Sequence, residues 1–274
     1  MLMPYFGLET EPLSAQPVFN IGPLTMSNSM LFALITAGFT IFILLMAARY
    51  TQLHPKSWLA YVTELLIDFI LGTAIGSFGN KKVALKHLPL LATLFTFILI
   101  GNLSGSGLLP GVGTVTVQNS GTTTPLLRPF TTDLNATLAM ALLTIGLVQY
   151  YSIKQRGGLG YIKHYFKSPI WNPMNMFIGL NEVFGELLRI VTLSMRLFGV
   201  IYAGEVLIAA VTQIAGNFGW IAAVPTVLLE IFFSVIQAYV FMMLAATYLS
   251  VAVADDHDEP KDKEPKAKAG MVQA

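Results

Sequence analysis

Five ionisable side chains stand inside one long apolar stretch over 176–209, MFIGLNEVFGELLRIVTLSMRLFGVIYAGEVLIA: Glu182, Glu186, Arg189, Arg196 and Glu205. A charge at bilayer depth costs at least ~2.5–3.5 kcal/mol on insertion scales, so five in one segment require a purpose other than solubility in lipid. A guanidinium keeps its proton at any attainable pH, whereas a carboxylate takes up and releases one. A fixed cation beside titratable carboxylates can hold a carboxylate ionised where lipid would force it neutral. That chemistry suits moving an ion past a barrier. A further glutamate, Glu230, and Gln237 lie in the last apolar run, 224–254.

No proline interrupts 176–209, and its pattern predicts one helix. At 3.6 residues per turn Arg189 and Arg196 fall about 20° apart, with Glu182 and Glu186 near the same line. Glu205 points roughly half a turn away from Arg196. Arg196 lies too deep to snorkel easily to an interface, which leaves it as a fixed positive charge. Glu205 and Glu230 stand toward the outer ends of two consecutive helices that a tight turn near 216–220 makes antiparallel, so packing can bring them level. Two carboxylates in a low-dielectric cleft do not both ionise readily, and such a pair can hand a proton on. The alternative is that each is merely hydrogen-bonded, with Tyr202 and Ser234 nearby. Glu182, Glu186 and Arg189 have the spacing of an interfacial salt-bridge face, or of the polar wall of an inner vestibule. Gln237 either neighbours Arg196 or packs. Asn102, ahead of the glycine-rich GNLSGSGLLPG, either faces the path or caps a helix end.

The elements that position these residues follow from hydropathy. Residues 30–48 form a first spanning helix at the usual requirement of ~20 residues. Trp58 to Phe78 contains Glu64 and Asp68 and reads as an amphipathic helix at the inner surface. Further spans follow at 88–109, 134–151, 176–216 and 224–254. Between the second and third spans, 111–133 is threonine-rich and β-prone. The basic residues Arg49, Lys56, Lys81, Lys82, Lys86, Lys154, Arg156, Lys163 and Lys167 fall on one side and Arg128 alone on the other, which places the N-terminus outside and the C-terminus in the cytoplasm. The fold class is therefore all-α, a polytopic membrane protein of about five transmembrane helices plus one surface helix. Residues 1–274 make a single membrane domain, with an outer lead over 1–28 lacking the basic start of a signal peptide, a helical body over 29–254 and a disordered tail over 255–274.

Composition narrows function as well. With 54% hydrophobic and 11% charged residues the chain is a membrane protein. It has no cysteine, which removes disulfides and thiolate chemistry, and its histidines (His54, His87, His164, His257) do not cluster as a metal site would. There is no phosphate-binding GxxxxGK[ST], no hydrolase signature and no reason to invoke nucleic acid or a cofactor.

TLSMRLFGVIYAGE (192–205) resembles the signature of subunit a of F-type ATP synthases, and IQAYVFMMLAATYLSVA (236–252) resembles that family's C-terminal helix. NLSGSGLLPG (102–111) and PFTTDLNATLAMAL (129–142) are similar to its earlier spans. The resemblance implies a membrane stator without catalysis of its own, in the bacterial plasma membrane. Its implied partners are a ring of c subunits, a b-subunit peripheral stalk, the rest of the synthase and the lipid bilayer. It also implies that the last two helices lie strongly tilted against the ring. By position Arg196 matches the family's essential arginine, Glu205 and Glu230 its outer half-channel positions, Gln237 a glutamine near the arginine, and Glu182 an acidic residue of the inner half-channel. Glu186 lies beside Glu182 on the inner cleft, and Asn102 near the outer one. Two positions depart: Val200 stands where asparagine is usual, and Ala139 where serine is frequent. The competing class, a free-standing ion channel or secondary transporter, often carries an internal repeat, and none is evident in this chain.

Overall fold

A computed structural model describes residues 15, 17–21, 24–50, 58–104, 116–119, 122–125, 128–157 and 173–253. Among the described residues six long helices build the body: α1 (Asn28–Tyr50), α2 (Trp58–Phe78), α3 (Lys81–Leu103), α4 (Leu134–Arg156), α5 (Pro173–Ala215) and α6 (Gly219–Val253). Two antiparallel hairpins accompany them, β1 (Pro17–Ile21) with β2 (Leu24–Ser27) and β3 (Thr116–Asn119) with β4 (Thr122–Pro125). The second hairpin falls in the β-prone segment. The first lies where only a polar lead is expected from hydropathy. His54, Lys56, Lys163, His164, Lys167, His257 and the charged tail lie outside the described residues.

Among the described residues five stretches are, by length and composition, apolar enough to cross a membrane: Asn28–Met46, Tyr61–Phe78, Lys81–Leu103, Leu134–Gln155, and a run over Met174–Val253 that holds both α5 and α6. That run turns back on itself at a short 3-10 segment, Gly216–Phe218. Gly216 adopts φ 53°, a left-handed conformation that costs glycine little. At the next helix start a side chain on Gly219 would meet the Thr212 carbonyl oxygen at 2.9 Å, so glycine permits the close reversal. The helix expected over 58–78 is present as α2, and although expected at the inner surface it is by length and composition apolar enough to cross a membrane. Its apolar side chains face two ways, with Ile70 and Ala74 buried and Leu65 and Phe69 exposed.

Two helices begin earlier than hydropathy alone places them. Asn80 caps α3 by accepting from the Lys82 amide at 2.9 Å, so Lys81, Lys82 and Lys86 are already helical, and Pro89 is accommodated inside. α6 likewise starts at Gly219 and carries Pro225 within it. α4 is capped by Asp133, which accepts from Asn135 N at 3.0 Å and from the Ser29 hydroxyl at 2.7 Å, joining the starts of α1 and α4.

The core lies where α2, α3, α4, α5 and α6 meet. Leu91, Phe95 and Ile98 of α3 pack with Leu193 and Leu197 of α5 and with Ala238, Phe241, Met242, Ala245 and Ala246 of α6. The alanines let α6 approach its neighbours closely, as small residues do in membrane helix packing. Phe130, in the 3-10 segment before α4, stacks on Phe97 with centroids 4.7 Å apart. Its ring also covers Gly101, where a Cβ would run into Cε1 and Cζ of Phe130. Gly101→Ala is therefore expected to destabilise the protein by about 1–3 kcal/mol, because the buried ring is held on both sides. Thermal unfolding in mild detergent reads this; an unchanged midpoint would show that Phe130 can move aside.

Candidate functional site

The site is built on α5 and α6, with α3 as its third wall. α5 is 43 residues long, about 64 Å at 1.5 Å per residue, roughly twice the ~30 Å of a hydrocarbon core. α6, at 35 residues, also exceeds the usual span. Helices of this length stay within a bilayer only by lying well off its normal.

Arg196 sits near the middle of α5 and is exposed, with no ion pair or hydrogen bond among the described residues. On the same helix Leu193 and Leu197 turn inward to the core. The guanidinium therefore projects from the bundle beside the exposed apolar Met195 rather than into the protein. A charge there needs a counter-charge, a polar group or water to face it.

On α6 the opposite holds. Glu230, Ser234 and Gln237 are each buried, at 2%, 0% and 4% exposure. Their i, i+4, i+7 spacing places them on one face. Neither carboxylate oxygen of Glu230, nor Ser234 Oγ, nor Gln237 Nε2 has a hydrogen-bond partner among the described residues. The reading in which Ser234 satisfies Glu230 is thus not what the structure contains. Tyr202 instead stacks on Phe198, 5.2 Å between centroids. Asn102 joins this face from α3: it is fully buried in the last turn, its Nδ2 donates to the Ser234 carbonyl at 3.4 Å, and its Oδ1 has no partner. Asn102 is not a helix cap but a bridge between α3 and α6.

The two glutamates lie at one level. The side chain of Glu230 rests against Gly204, where a Cβ would stand 3.0 Å from Cγ and 3.1 Å from Cδ. Any larger residue at 204 would displace the carboxylate. A cavity of about 310 Å³ between α5 and α6 has Glu230 in its lining, together with Gly199, Val200, Gly204, Thr226 and Phe233. Glu205 is half-buried and does not line it. Val200 lines the same cavity as Glu230.

Toward the start of α5, Glu186 and Arg189 form the helical ion pair that their spacing allows. Arg189 also lies over the Tyr248 ring, 5.2 Å from its centroid, fastening α5 to the end of α6. Glu182 is half-buried one turn before. Gln237 and Arg196 are not joined by a hydrogen bond.

A profile of the ATP synthase A chain family matches residues 30–250. The chain belongs to that family. It is 34% identical over 238 residues to the ATP synthase subunit a of Staphylococcus carnosus (strain TM300), an alignment covering 84% of this chain and 91% of that protein. With the ATP synthase subunit a of Staphylococcus aureus (strain JH9) it shares 32% identity over 256 residues, 90% of this chain and 98% of the other. The match spans every residue named in the site, from Asn102 to Gln237. Ser234 and Gly204 were not singled out as site residues by sequence; the polar i, i+4, i+7 row in α6 was the available signal for the first.

Proposed function

We propose that this chain is the membrane stator of an ATP synthase, carrying protons through two aqueous half-channels to and from a rotating ring of c subunits. The observation that carries the reading is the exposed Arg196 at the middle of α5, unpartnered among the described residues, beside an α6 that buries Glu230. A proton enters from outside near Asn102, Glu205 and Glu230 and neutralises a carboxylate on the ring. The neutral carboxyl can then pass through lipid, which the ionised form would not. After almost a full rotation it loses its proton in an inner cleft near Glu182 and Glu186. Arg196 stands between the clefts, attracts the ionised ring carboxylate past and repels a proton that would short-circuit the path. Gln237 lies at the level where the outer path reaches the arginine. The membrane potential contributes ~2.3 kcal/mol per charge per 100 mV, and several protons together drive ATP formation in the soluble head.

In this reading the chain makes no ATP itself. Its N-terminus is outside and its C-terminus cytoplasmic, in a bacterial plasma membrane, with Arg49, Lys81, Lys82, Lys86 and Lys154 on the inner side. The exposed apolar faces of α5 and α6, including Met195, Phe232 and Phe233, meet the ring and lipid. The family match supports the partners: the c ring, a b-subunit peripheral stalk and the ATPase head. Native mass spectrometry of the tagged chain in mild detergent tests the assembly. The expected result is co-purification with a small hairpin protein in many copies and a soluble ATPase. A stable assembly lacking both would sink the reading.

A further inference from the structure

We propose that the Ser234 hydroxyl is a relay in the outer proton path, linking Glu230 to the level of Gln237. Four side chains on this face share one property: each is buried and has an atom with no hydrogen-bond partner among the described residues. Glu230 has two such oxygens, Ser234 has Oγ, Gln237 has Nε2 and Asn102 has Oδ1. Buried polar atoms in native proteins are satisfied by protein or by ordered water, and a buried water needs two to four polar partners. Five such atoms on one strip of α3 and α6 meet that requirement. Apolar side chains flank these atoms, with Ala238 and Phe241 fully buried beside them.

Ser234 holds the position that matters. It is one helical turn from Glu230 and about one turn from Gln237, at Cβ separations of about 5–6 Å on a helix surface. No direct hydrogen bond crosses either gap, since Ser234 Oγ and both Glu230 oxygens lack one among the described residues, and each gap suits one bridging water. A hydroxyl donates one proton and accepts at two lone pairs, so it can take a proton from the Glu230 side while releasing its own toward Gln237. The hydroxyl ends unchanged, the Glu230 carboxyl becomes a carboxylate, and the proton leaves toward the acceptor facing Arg196. Asn102 steadies the element by binding the Ser234 carbonyl, 3.4 Å away. Glu230 and Gln237 alone are separated by two turns without an intervening group.

This inference rests on the stator reading, and the test separates the two. Inverted membrane vesicles carrying the intact complex are assayed for ATP-driven acidification with wild type, Ser234→Ala and Ser234→Gly, at matched amounts of assembled chain. Ser234→Ala removes the hydroxyl and leaves a methyl in its place; it should slow acidification about tenfold or more. Ser234→Gly removes the methyl as well, making room that approaches the ~30 Å³ share of one water, and should recover part of the rate. A packing role predicts the reverse order, because glycine within a helix destabilises it relative to alanine. Ser234→Ala at the wild-type rate, or Ser234→Gly slower than Ser234→Ala, overturns the relay while wild-type acidification keeps the stator reading intact. Absence of acidification in wild-type vesicles that hydrolyse ATP overturns both.

Discussion

Arg196→Ala is expected to reduce ATP-driven acidification of inverted vesicles by at least about 100-fold, with the assembled complex retained. The size follows from what is removed: a preorganised charge aimed at a group that must pass it, an element whose loss typically costs 10²–10³ in rate. The retention follows from where it stands. Arg196 is exposed and makes no ion pair or hydrogen bond among the described residues, so its removal leaves no protein group unsatisfied. Surface substitutions away from such partners usually stay within about 0.5 kcal/mol. Arg196→Lys should also be slow, since a compact ammonium lacks the planar fork of the guanidinium. Wild-type acidification in Arg196→Ala would defeat the stator scheme outright. A lower yield of complex together with normal activity per complex would assign the arginine to assembly instead.

The long apolar helices were legible because their signal is local. Hydropathy over 30–48 and 134–151 finds α1 and α4, and the absence of proline over 176–209 predicts α5 as one helix. Helix starts were less legible, because hydropathy reports the lipid-soluble segment and not the helix. Lys81, Lys82 and Lys86 are polar yet good helix formers, and the Asn80 cap extends α3 to them. Pro225 lies inside α6, where membrane helices tolerate proline when neighbours satisfy the freed groups. The first hairpin had a signal that hydropathy ignores, the Gly22-Pro23 dipeptide between two β-prone segments.

Site residues divide the same way. Arg196 and Glu230 stand out by cost alone, as charges in apolar runs. Their environments do not, because exposure of the first and burial of the second depend on which face of each helix meets the core. His87 illustrates the point from the other side. Hydropathy puts it at a membrane border, yet it is buried, stacked on Phe78 at 5.5 Å and edge-on to Tyr151 at 4.8 Å. Arg128, the one basic residue that the charge pattern puts on the outer side, is likewise buried and donates from Nε to the Thr132 hydroxyl at 3.1 Å. In both cases long-range packing decides what periodicity leaves open. Glu186 was legible in both of its readings, and its pairing with Arg189 realises the local one.

Glu230 should show the opposite relation between function and stability from an ordinary buried residue. Its carboxylate is 2% exposed and neither oxygen has a partner among the described residues, while the cavity beside it is otherwise mostly apolar. An unpartnered buried polar group costs about 1–3 kcal/mol by mutational measures, and more when charged. Glu230→Met, close in volume and without polar oxygens, is therefore expected to raise stability by about 1–3 kcal/mol, read as a higher thermal midpoint of the detergent-solubilised complex. The same substitution should cut ATP-driven acidification by about 100-fold or more, because no titratable group remains at that step. Glu230→Gln keeps the shape and loses the proton exchange, so it should share the loss of rate without the gain in stability. A structural glutamate predicts the reverse for Met, a lower midpoint with activity falling only as complex is lost. The two measurements on one variant thus separate a group kept for its proton from a group kept for its contacts, and Gly204 supports the first: a residue without a side chain at the point of closest approach leaves the carboxylate free to exchange partners.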